Sequence, residues 1–153
     1  MSEMSQKQQI LIGEDVPENI RIFKDALSDA YKISFVNNSD DLLRIGMSEA
    51  SPDLILMNVG LSGVNADKLC KKLKNDRKTQ HIPLILVTEI QADADETEGF
   101  RCGAADYLRC PLSRELVRAR VGLHLEFQRY RDLLSLDDLT GIPNRRRFEQ
   151  ALD

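Results

Sequence analysis

Residues 52–63 read PDLILMNVGLSG, an unbroken apolar run from Leu54 to Met57 closed by a polar Asn58 and a glycine-containing loop. A short run with no polar alternation suits a strand buried on both faces, as in a parallel sheet covered by helices on each side. The same unit returns in both directions along the chain. Upstream, Gln9 to Gly13 is a strand, and Pro17 suits the first turn of a helix with Ile20, Phe23 and Leu27 on one face. Tyr31, Ile33 and Phe35 alternate with Lys32, Ser34 and Val36, which predicts a less buried strand, and Ser39-Asp40 can cap a helix carrying Leu42, Leu43 and Met47. Downstream come a helix with Ala66, Leu69, Cys70 and Leu73, a strand Ile82 to Thr88, a polar helix Asp93 to Cys102 stopped by Gly103, and a short strand Ala105 to Leu108. Pro111 then opens a last helix. Five strand-helix repeats predict an α/β fold with a doubly wound, five-stranded parallel sheet.

The chain has 153 residues, 42% apolar and 30% charged, enough for one core and inconsistent with a wholly disordered chain. Its formal charge of −4 gives no basic field for nucleic acid, which is disfavoured as a partner. No apolar run approaches the roughly 20 residues of a membrane helix, so no membrane association is expected. The opening MSEMSQKQQI lacks the apolar stretch of a signal peptide, and three cysteines, at 70, 102 and 110, make no paired framework. A reducing, cytoplasmic setting is expected.

Ligands of open parallel sheets sit at the carboxyl ends of the strands, which selects Glu14, Asp15, Asn58, Thr88 and Cys110. Two adjacent acids after a buried strand offer hard oxygens to Mg²⁺. They read equally well as a helix-capping Asp15 beside a solvated Glu14. Cys110 lies beside two acids with no histidine near it in sequence, which disfavours a thiolate and makes it core filler. His81 and His124 suit neither catalysis nor metal binding, and the chain has no G-x-G-x-x-G or Walker A run.

Four segments, ILIGED (10–15), PDLILMNVGLSG (52–63), IPLILVTE (82–89) and GAADYLRCPL (103–112), together resemble the receiver domain of two-component response regulators over roughly residues 8 to 130. The resemblance implies a flavodoxin-like sheet of order 2-1-3-4-5. It also implies an acidic pair for Mg²⁺, a phosphoryl-accepting aspartate after the third strand, a hydroxyl after the fourth and a lysine after the fifth. Glu14 and Asp15 match the acidic pair, Thr88 the hydroxyl, and Tyr107 the aromatic residue that switches with it. Asn58 stands at the phosphoacceptor position and Cys110 at the lysine position; Ser62 and Ala66 replace the usual proline and glycine. A carboxamide is neutral and its nitrogen lone pair is delocalised, so Asn58 cannot form an acyl phosphate. Loss of the lysine removes the cation that would pair with phosphoryl oxygens. Slow deamidation of Asn58, hindered by Val59, is one route back to an aspartate.

The last helix continues past the sheet: Leu112, Leu116, Ala119, Leu123, Tyr130 and Leu133 approach a seven-residue seam broken at Glu126, which predicts a stalk over 112–135. An overlong surface helix with a ragged face is the plainer reading. Residues 137–148, DDLTGIPNRRRF, resemble the opening of GGDEF domains, the diguanylate cyclases, which follow such stalks. The expected organisation is a disordered tail (1–7), a receiver domain (8–122), the stalk (112–135) and the start of a GGDEF domain (136–153) whose catalytic part lies beyond the sequence. The expectation is therefore a non-enzymatic, degenerate receiver acting as a dimerisation and signal-transmission module of a diguanylate cyclase. The resemblance implies pairing through the fourth and fifth helices and strands, and a homodimer is expected here through the polar fourth helix, Arg118 and the stalk, with a C-terminal GGDEF domain and a histidine kinase as partners. The alternative is a receiver that accepts phosphoryl groups.

Overall fold

The computed structural model describes residues 7–61, 66–88 and 103–139; of Ala66, Asp67 and 135–139 only the backbone is described. Five parallel strands, β1 (Gln9–Gly13), β2 (Lys32–Val36), β3 (Leu54–Asn58), β4 (Leu84–Thr88) and β5 (Asp106–Arg109), form one sheet of order β2-β1-β3-β4-β5. Among the described residues the helices are α1 (Pro17–Leu27), α2 (Ser39–Gly46), α3 (Ala66–Asn75) and α4 (Arg114–Leu139). This is the doubly wound order expected from the sequence, with β3 at the centre because the chain crosses from β1 out to β2 and then returns past β1 to β3.

Alternate residues of the central strands point to opposite faces. Leu11, Ile55, Met57, Leu84 and Leu86 pack with Leu42, Leu69 and Leu73, under α2 and α3. Ile10, Ile12, Leu54, Leu56, Ile85 and Val87 pack with Phe23, Leu27, Val117, Val121 and Leu125, under α1 and α4. Each such side chain stabilises the fold by roughly 1.5–3 kcal/mol. The register Ile10↔Leu54 and Asn58↔Val87 brings the carboxyl ends of β1, β3 and β4 level, which fixes where a site can form. A Cβ on Gly13 would meet Leu42 Cδ1 and Leu61 Cδ2, both at 2.9 Å, so a larger residue at the end of β1 would have to push two leucine side-chain ends aside.

Several boundaries differ from the sequence expectation. The cap of α2 is Asn38, whose Oδ1 accepts from the Asp41 N–H at 2.8 Å, so helical geometry begins at the Ser39-Asp40 pair. β4 starts at Leu84 and β5 runs Asp106–Arg109, one residue later than expected. The last helix begins at Arg114: Ser113 Oγ accepts from the Leu116 N–H at 3.2 Å, so the cap falls two residues beyond Pro111. Gly103 has φ +104°, the left-handed conformation expected of a helix-stopping glycine. Cys70, fully buried on α3, is disulfide-bonded, which corrects the expectation that the cysteines are unpaired. Ser62, the helix expected over 93–102, residues 1–6 and the GGDEF-like segment from Thr140 lie outside the described residues.

Candidate functional site

Glu14 follows β1 directly, and its N–H donates to Val36 O at 3.0 Å, which holds the start of the loop against β2. Its side chain is 1% exposed. Oε2 accepts from the Val16 N–H at 3.1 Å and from Asn58 Nδ2 at 2.8 Å, while Oε1 accepts from Asn19 Nδ2 at 3.3 Å. Burial pushes the Glu14 carboxyl above its ordinary pKa, and those hydrogen bonds pull it only part of the way back. Neither half of the plainer reading holds, because Glu14 is buried and α1 is preceded by Val16, with no side-chain cap from Asp15. Asp15 is exposed.

Asn58 ends β3 and is 6% exposed. Its Oδ1 accepts from the Gly60 N–H at 2.8 Å while its Nδ2 donates to Glu14. The two ends of an amide are distinguished only by their partners. Here a backbone donor at one end and a carboxylate at the other fix the orientation. Deamidation requires the Val59 nitrogen to attack the Asn58 side chain, but the Val59 N–H is bonded to Val87 O at 2.9 Å and the carboxamide is held at both ends. The folded state closes that route.

Thr88, at the end of β4, is 1% exposed, and its Oγ1 has no hydrogen-bond partner among the described residues. The Cys110 N–H donates to Thr88 O at 2.8 Å, joining the ends of β4 and β5. Cys110 is half-buried against the α1/α4 core layer, and Asn19 Nδ2 lies 3.8 Å from its Sγ. Tyr107 is 8% exposed and packs in the opposite layer. The structure thus brings Glu14, Asn58 and Cys110 into one network through Asn19. Asn19 was missed in the sequence, although it lies one turn before Phe23 on the buried face of α1, a position that signals a polar group with a buried partner. A cleft of about 380 Å³ beside the network is lined by Glu14, Asp15, Phe35, Asn37 and Asp41.

His124 was also set aside in the sequence, and here it gains a role. Its Nε2 lies 2.9 Å from Asp106 Oδ2, while Arg120 Nη1 donates to both oxygens of Asp106 at 2.6 and 2.7 Å. Burial alone would raise the Asp106 pKa, but the His124 and Arg120 hydrogen bonds outweigh it and hold the carboxyl below its ordinary value. This network joins β5 to α4. His81 is exposed and outside it.

Mg²⁺ takes octahedral oxygen ligands at about 2.0–2.1 Å. In this pocket Glu14 already accepts three hydrogen bonds and Asn58 Oδ1 one, leaving the Asp15 carboxylate on its own. Among the described residues no group of three His, Cys, Asp or Glu side chains could hold a metal. The described residues do not fit the cation.

The family described as "Response regulator receiver domain" matches residues 10–122. "Response regulator PleD" of Caulobacter vibrioides is 30% identical over 133 residues, covering 86% of this chain and 29% of that protein. A Vibrio cholerae protein named "Probable cyclic di-GMP phosphodiesterase" is 32% identical over 125 residues, covering 82% of this chain and 28% of that protein. The receiver domain of the Pseudomonas aeruginosa sensor histidine kinase PA1611, solved with a magnesium ion in its active-site cleft, superposes with a TM-score of 0.71 at 21% identity over 79% of this chain and 99% of that one. The chain spans under a third of the length of the two curated relatives. With the family's strand order and a family match over nearly the whole described sheet, the chain belongs to the response regulator receiver domain family.

Proposed function

We propose that this chain is the receiver-like regulatory part of a diguanylate cyclase, unable to take a phosphoryl group and working by holding two copies together. The observation that carries this reading is the Asn58 carboxamide, buried and hydrogen-bonded at both ends where a nucleophilic carboxylate would have to be. Cys110 at the lysine position leaves no cation there to pair with phosphoryl oxygens and move β5. The GGDEF-like residues after α4 support a cyclic di-GMP effector, and a relative named for cyclic di-GMP turnover is consistent with it. No enzymatic activity is assigned to these 153 residues themselves.

Helix α4 supports the pairing. Val117, Val121, Leu125 and Gln128 face inward, at spacings of three and four, while Leu123, Phe127 and Tyr130 face outward with 60%, 60% and 59% exposure. Leu116, Leu123 and Tyr130 form one seven-residue row, and Phe127 and Leu134 a second beside it. A helix with apolar residues on both faces needs a second surface, and 26 residues give about 39 Å of rod to supply one. The occupant proposed is α4 of a second copy.

Sedimentation velocity, with and without acetyl phosphate and Mg²⁺, tests this. The expected result is the same dimer in both conditions, and mainly monomer for the double variant Leu123→Asp, Phe127→Asp. A wild-type monomer at high protein concentration, or a dimer that forms only with the phosphodonor, would contradict it.

A further inference from the structure

We propose that the Asn58 carboxamide is a built-in substitute for the divalent cation of this pocket, so that the site is closed and complete without metal. The proposal rests on the reading of the pocket as a degenerate receiver site and concerns how that site is held. In the PA1611 receiver a magnesium ion is coordinated in the cleft. Here a fixed donor does the work of a positive charge: Asn58 Nδ2 reaches Glu14 Oε2 at 2.8 Å, and the Val16 N–H reaches the same oxygen at 3.1 Å.

Three features make the amide a plug and more than a missing ligand. Its orientation cannot reverse, because that would set Oδ1 against the Glu14 carboxylate and the NH₂ against the Gly60 N–H. The second oxygen of Glu14 is covered by Asn19, which also approaches Cys110, so the acid is enclosed from the β5 side. A metal drawing on Glu14 would have to displace a buried hydrogen bond and leave the Asn58 NH₂ without a partner, a cost that an alanine at this position would not impose. Among the described residues the exposed Asp15 would then be the carboxylate offered most freely, and a strongly hydrated cation gains little from a single such ligand.

The probe is Mn²⁺ alone, measured by water-proton relaxation on the full chain, with folding checked by circular dichroism. Wild type is expected to show no saturable site in the low millimolar range. Asn58→Asp, which supplies a carboxylate, is expected to bind roughly tenfold or more tightly. Asn58→Ala is expected to bind more tightly than wild type even though it adds no ligand, because it removes the plug. If the alanine variant does not fold, Asn58→Ser serves, with the same expectation. Wild type binding Mn²⁺ as tightly as Asn58→Asp, or a small residue at 58 binding no better than asparagine, would overturn the proposal. Either result would leave intact the inability of Asn58 to accept a phosphoryl group, whereas a phosphorylated wild type would overturn that reading whatever its Mn²⁺ affinity.

Discussion

Replacing Asp106 with alanine is expected to cost the fold about 2–3 kcal/mol and to lower its melting temperature by roughly 10 °C. The side chain is 16% exposed and takes a two-oxygen contact from Arg120 together with one from His124. Removing it strands both partners on α4. Arg120 is 39% exposed and can regain water, which keeps the loss below that of a fully buried pair. Asp106→Asn should lose less, since the amide oxygen still accepts. The pH dependence follows the lowered pKa. The folded state binds the Asp106 proton less tightly than the unfolded state, so the stabilisation is complete above the ordinary aspartate pKa of about 4 and is lost as pH falls through the lower, folded value. Urea unfolding across acid pH should show this loss in wild type and not in Asp106→Ala. The same ties link β5, which carries Tyr107, to the helix that is proposed to pair two copies, so the variant should also loosen α4 in hydrogen exchange.

Thr88→Val is expected to act in the opposite direction, raising stability by about 1 kcal/mol or more. The Thr88 hydroxyl is 1% exposed and its oxygen has no partner among the described residues. Valine keeps the β-branched shape suited to the end of β4 and removes the unsatisfied oxygen. A polar group retained at a cost to stability makes sense in a receiver, where the resemblance makes this hydroxyl part of the switch with Tyr107. On the proposed reading of Asn58, no acyl phosphate forms in this chain to meet it. The urea midpoint should rise with no change in denaturant slope. A fall would mean that the hydroxyl has a partner in the fold.

The strands were legible because central parallel strands carry apolar residues on both faces. β1 and β3 were read to the residue, and β2 showed the alternation of an edge strand. Helix starts were less legible, since Asn38 and Ser113 each compete with an equally plausible neighbour and only the hydrogen bond decides. The ends of the strands pointed to Glu14, Asn58, Thr88 and Cys110, but not to how they meet. Asn19 lies five residues after Glu14 and ninety-one before Cys110, and joins them only because Cys110, in the loop after β5, packs against the α1/α4 layer. The Asp106 network is similarly nonlocal: Arg120 and His124 share a helix face at i, i+4, yet nothing in their spacing indicates an acid on β5. The disulfide at Cys70 was unreadable because sequence does not give cysteine proximity.

The central claim is that a neutral amide at position 58 leaves the pocket without a nucleophile. Intact mass spectrometry of the wild-type chain after incubation with acetyl phosphate and Mg²⁺ tests it most directly, with the double variant Asn58→Asp, Cys110→Lys treated in parallel. The predicted result is an unchanged wild-type mass beside a phosphoryl adduct on the double variant. A phosphoryl adduct on the wild type, mapped to the peptide containing Asn58, would contradict the account.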